Sequence, residues 1–162
     1  MTTALFQPID AAAQASIKDM LTGMRHATLA CHDPAGEGPI LSRISAQLGP
    51  DGRIYALLAG IAQHSRALTA DPRAGLLITH ARQGKGDEMV QARLSLQIRA
   101  TPAEATDVLR QAWLAGDPKA TIYANLPDFR FWHLAPVQGV LNSGFGRASQ
   151  LGPKDLSDAL NA

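Results

Sequence analysis

ILSRISAQLGPDGRIYALLAGIAQHSRALTADPRAGLLIT (Ile40–Thr79) is the stretch that decides the fold. Its start alternates. Ile40, Ser42, Ile44, Ala46 and Leu48 share one face, and Leu41, Arg43, Ser45 and Gln47 share the other, as a half-buried strand requires. Gly49-Pro50-Asp51-Gly52 is tight-turn chemistry, so Arg53–Ala59 pairs back as a hairpin. Gln63–Ala70 is helical and stops at Asp71-Pro72, because proline disfavours helix in the residue before it. Ala74–Ala81 reads as the next strand.

The same pattern extends to both sides. Upstream, Ile9–Met24 carries apolar residues at helical spacing, with Gly23 near its end. Arg25–Asp33 then shifts to period two, and DPAGEGP is a turn. Downstream, Arg82–Glu88 is a polar loop. Val90–Ala100 alternates without a break and predicts a long half-buried strand. Thr101-Pro102-Ala103-Glu104 has capping-box chemistry, which predicts a helix from there to about Ala115. A short helix near Pro118–Ala124 precedes two final strands, FRFWHL and VQGVLNSG, and GPKDLSDAL closes as a helix. Strands joined mostly by short turns are antiparallel. The expected fold is α+β, a barrel or strongly curled sheet with helices at its edges.

The 162 residues suit one domain, residues 1–162. A formal net charge of +1 argues against a general nucleic-acid or membrane-surface role, both of which use a basic excess. The single cysteine, Cys31, excludes an internal disulfide and any multi-cysteine metal site, and suits a reducing compartment. No basic leader with an apolar core opens the chain, and no apolar run reaches the roughly 20 residues of a membrane span. The expectation is a soluble, cytoplasmic protein.

His64-Ser65-Arg66 opens the Gln63–Ala70 helix. A helix start has unpaired N–H groups and the positive end of the dipole, and these side chains add donors. The triplet reads either as a phosphate site or as a solvated start capped by Ser65. Arg43, sharing a strand face with Ser45, reads either as a second anion contact or as a solvent-facing arginine. Gln91 and Arg93 lie on the polar side of the Val90–Ala100 pattern. His26, His32, His80 and His133 have no metal-ligand spacing and read as structural; no metal site is expected. No P-loop, GxGxxG, GxSxG, HExxH or CxxC motif is present.

GPDGRIYALLAGIAQHSRALTADPRAGLLIT, ARLSLQIRA and DFRFWHLAPVQGVLNSGFGRA, in that order, resemble the pyridoxamine 5′-phosphate oxidase-like FMN-binding split-barrel family. Among its branches they are most similar to the haem-utilisation (HugZ/HutZ-type) branch. The resemblance implies a six-stranded antiparallel split β-barrel with peripheral helices. It also implies an obligate homodimer with FMN in clefts between the subunits, acting on a small-molecule substrate, with neither nucleic acid nor membrane as partner. It places the FMN phosphate on Arg43, Ser45, His64, Ser65 and Arg66, further cofactor contacts on Gln91 and Arg93, and Trp132 beside the flavin. Ala67 and Ile98 depart from the branch's asparagine and glycine. After GFGRA the chain has only SQLGPKDLSDALNA where haem-degrading members carry a further region, so haem oxygenase activity is not expected. The implied function is an FMN-dependent oxidoreductase, with a non-enzymatic haem- or flavin-binding protein as the alternative.

Overall fold

The hairpin forms as its turn chemistry dictates. In the computed structural model, which describes residues 6–79, 90–144 and 146–162, Leu48 lies opposite Ile54 across the turn. Gly52 sits at φ +76, a conformation that side chains resist, and donates to the Gly49 carbonyl. In chain order the elements are α1 (Ala11–Gly23), β1 (His26–His32), β2 (Pro39–Leu48), β3 (Ile54–Ala59), α2 (Gln63–Ala70), β4 (Arg73–Thr79), β5 (Arg93–Pro102), α3 (Asp107–Gly116), a 3-10 helix (Pro118–Ile122), β6 (Phe129–Asn142), β7 (Ala148–Leu151) and α4 (Pro153–Asn161).

The strands run β3-β2-β1-β4-β5-β6-β7, all antiparallel, and β3 also pairs with β6. That last pairing closes six strands into a barrel and leaves β7 as an addition on β6. Leu29, Ile44, Ala56, Leu76, Leu94 and Leu134, each at most 4% exposed, belong to the core inside. Ile17 of α1, Leu68 of α2 and Leu156 of α4 extend it. A second cluster lies outside the barrel wall, where Tyr55, Leu57 and Phe131 meet Leu109 and Trp113 of α3. Trp113 meets Phe131 edge-on at 5.2 Å, a favourable arrangement of ring quadrupoles. β3 is therefore covered on both faces, and its run IYALLA is apolar throughout rather than alternating.

Three expectations need correction. The strand expected from Val90 begins at Arg93, which pairs with Thr79, and Val90 is half exposed ahead of it. The TPAE capping box does not form. β5 continues through Thr101 and Pro102, paired with His133 and Trp132, and the true cap is Thr106, whose side chain accepts from the Leu109 N–H. FRFWHL and VQGVLNSG are one strand, β6. A register shift at Gln97/Ile98 leaves Val137 unpaired and absorbs Pro136, which has no N–H to give the ladder. The strand count survives only because β7, not foreseen, replaces the one lost. His80 and the Arg82–Glu88 loop lie outside the described residues.

Candidate functional site

Sequence period places Arg43 and Ser45 on the outer side of β2, away from the barrel core. Arg43 pairs with Thr28 on β1, and its guanidinium lies 3.3 Å from His26 Nε2. Beside them β3 ends at Ala59 and turns into α2. That turn is held by Asp128, just before β6. Its carbonyl accepts from the Gly60 N–H at 2.7 Å and its carboxylate from the Ile61 N–H at 3.4 Å. A Cβ on Gly60 would lie 2.7 Å from that carboxylate and 3.3 Å from the Asp128 carbonyl, so a side chain here would push the carboxylate aside.

The N-cap of α2 is Ala62, which supplies no side-chain cap. Ser65 does not cap either. It is buried, and its hydroxyl donates to the Ala59 carbonyl at 2.7 Å, fastening the first helical turn to the end of β3. Arg66 donates outward to the Ile61 carbonyl at 2.9 Å. His64 faces a cleft of about 290 Å³, lined also by Arg43, Ser45, Leu57, Tyr123 and Phe129. Burial pushes the His64 imidazole below its ordinary pKa, so the free site carries one fixed positive charge, on Arg43.

The far wall of this cleft was not legible in the sequence. The Tyr123 hydroxyl donates to Asp117 at 3.2 Å, and its ring lies 5.1 Å from that of Phe129. Burial, opposed by Ser45 and reinforced by Asp117, raises the phenol above its usual range, so it stays protonated. His26 was read as structural and stands at the rim beside Arg43. No local motif marks these three residues; strand register and barrel closure bring them in.

Of the predicted residues, the structure gathers Arg43, Ser45 and His64 in the cleft, with Ser65 behind them and Arg66 alongside. The others lie elsewhere. Gln91 precedes β5. Arg93 opens β5, two strands beyond β1, and Asn142 Oδ1 accepts from it at 3.1 Å in the orientation that satisfies both groups. Trp132 is 6% exposed within the barrel core, opposite Ala56, and not in this cleft.

What the cleft does chemically follows from its donor set. A guanidinium, an imidazole, a hydroxyl and a helix start on one side suit an oxyanion; aromatic rings on the other suit a flat or apolar moiety. Among the described residues no helix is long and apolar enough to cross a membrane.

No protein-family profile and no curated protein matches the chain. Solved structures do. One is 49% identical, covering 93% of this chain and 99% of its own, with a TM-score of 0.85. A haem-binding protein from Mycobacterium smegmatis is 24% identical over 93% of this chain and 62% of its own, with a TM-score of 0.80. A general stress protein 26 relative of the pyridoxinephosphate oxidase family, from Clostridium acetobutylicum, is 12% identical over 91% and 99%, with a TM-score of 0.68. An FAD-binding protein from Mesorhizobium loti is 18% identical over 75% and 85%, with a TM-score of 0.58. The chain thus spans less than two thirds of the length of the haem-binding protein.

Proposed function

By its fold the chain belongs to the pyridoxamine 5′-phosphate oxidase-like split-barrel family, and on that premise we propose that it is an FMN-binding oxidoreductase working as a cytoplasmic homodimer on a small molecule. The observation that carries this reading is the convergence of Arg43, Ser45 and His64 on one cleft beside the start of α2. This donor set fits a phosphomonoester. Arg43 supplies a charged, two-pronged donor, Ser45 a hydroxyl and His64 an imidazole that a dianion would help to protonate. Ser65 holds the helix start in place rather than touching the phosphate. When bound, the flavin supplies the hydride and electron chemistry, and the protein binds and orients it.

The dimer has its own support. Among the described residues, the outward side of β1, β4 and β5 is partly exposed. It presents the row Thr28–Leu77–Ser95 and the small pair Ala30–Gly75, with Leu41 69% exposed at the β2 edge. A second copy on this face would bring Gln91 and Arg93 toward the cofactor.

The test is the visible spectrum of the purified protein, followed by titration with FMN. Flavin bands, or micromolar binding weakened by Arg43→Ala, are expected. Neither flavin bands nor saturable binding would overturn the proposal. A second reading, non-enzymatic haem or flavin binding, is favoured by the fold likeness to the Mycobacterium smegmatis haem-binding protein. A saturable Soret shift on titration with haemin, without FMN binding, would replace the first reading.

A further inference from the structure

The cleft at the opposite end of β3 is larger and separately built. Its volume is about 480 Å³, and it lies between the β2–β3 hairpin and the Thr101–Leu109 segment joining β5 to α3. The two clefts share no lining residue, so the two sites are distinct.

The floor is a fixed polar set. The Tyr55 hydroxyl donates to Asp51 Oδ2 at 2.8 Å, and the Arg53 N–H donates to Asp51 Oδ1 at 3.2 Å. Both carboxylate oxygens are thus engaged, and the Arg53 side chain is left with a loose 3.7 Å contact and 62% exposure. His133 lies opposite Tyr55, ring centroids 5.8 Å apart. Burial and Arg53 keep it below its ordinary pKa, so it adds no charge at neutral pH. On the other wall Glu104 is exposed and makes no ion pair among the described residues. Between these charges lie Pro102 and Val108, the latter 64% exposed.

We propose that this cleft binds a small zwitterion of the α-amino-acid type with an apolar side chain. Arg53 takes the carboxylate through its fork of N–H donors, Glu104 takes the ammonium group, and Pro102 and Val108 cover the side chain. A simple anion would meet Asp51 and Glu104, and a simple cation would meet Arg53. A ligand carrying both charges satisfies both walls. A lone surface arginine needs no such explanation, but a cationic donor, an acidic acceptor without an ion pair among the described residues, and exposed apolar surface around one concave site together supply the groups of a ligand pocket.

The test is an amide and guanidinium NMR titration of the full chain with L-leucine, with 4-methylpentanoate and 3-methylbutylamine as probes lacking one charge each. Saturable shifts at Val108 and Arg53 Nε with millimolar affinity for leucine are expected, with each analogue and Arg53→Ala weaker by about tenfold or more. Glu104→Gln, at an exposed and unpaired position, should lower leucine binding to that of 4-methylpentanoate. FMN binding should be unchanged in both variants, which separates this site from the phosphate cleft. No saturable shift up to about 20 mM, equal binding of either analogue, or leucine binding untouched by Glu104→Gln would each overturn the proposal.

Discussion

The hydroxyl of Ser65 donates to the carbonyl of Ala59 at 2.7 Å, tying the first turn of α2 to the last residue of β3. Both partners are on elements that wall the candidate phosphate site, so one buried hydrogen bond sets the spacing between strand and helix start. Ser65→Ala removes this bond and leaves the carbonyl with the Ala62 N–H, at 3.1 Å, as its remaining donor. It should lower stability by about 0.5–1.5 kcal/mol, read as a shift in the urea midpoint at unchanged slope. FMN binding should weaken as well, although Ser65 does not face the cleft.

Arg43→Ala should act the other way round. Arg43 is exposed and, among the described residues, its side chain contacts His26, so stability should change by no more than about 0.5 kcal/mol. FMN affinity should fall by about tenfold to a hundredfold, as expected for loss of a charged donor to phosphate. Calorimetric titration gives the second figure and a thermal melt the first. A large melt shift with FMN affinity intact would contradict the assignment.

Acid sensitivity follows from two histidines. Burial lowers His64, and burial with Arg53 lowers His133, both below the ordinary value of 6.5. The unfolded chain therefore takes up protons that the native state refuses. This contribution to stability is whole above 6.5 and is lost as the pH falls from there toward the lower folded-state values. Urea midpoints of the ligand-free protein should drop between about pH 7 and pH 5, and less so in the His64→Gln, His133→Gln double variant. An unaltered drop in the double variant would assign the acid sensitivity to other groups.

Two glycines should respond in opposite ways. A Cβ on Gly139 would lie 2.7 Å from the Ser95 carbonyl and 2.6 Å from Leu96 Cδ2, at the β5–β6 pairing. Gly139→Ala should cost about 1–3 kcal/mol, because the clash is partly with backbone. Gly23 has open space where its Cβ would be and closes α1, so Gly23→Ala should be neutral or stabilising by up to about 1 kcal/mol. Paired denaturation curves check both.

Much of the fold was legible. The hairpin and α2 stand where alternation, turn glycines and the Asp71-Pro72 stop put them, because each is set by interactions within a few residues. The Thr101 cap failed for a reason outside its own segment: β6 offers His133 and Trp132 as partners, and strand pairing there overrides a local capping preference. Of the candidate phosphate site, the sequence pointed to Arg43, Ser45 and His64, which the cleft unites, but had no means to point to Tyr123 or Phe129.

Trp132 and its neighbour Phe131 show the division most plainly. By itself the sequence determined that they fall on opposite faces of a strand, since side chains alternate along any extended chain. It could not say which face was which, because both are apolar and the polar-out rule has nothing to act on. The pairing of β3 with β6 decided it, turning Trp132 into the barrel core and Phe131 outward beneath α3. The same closure set the start of β6 against the turn into α2, and so built the cleft from residues far apart in the chain.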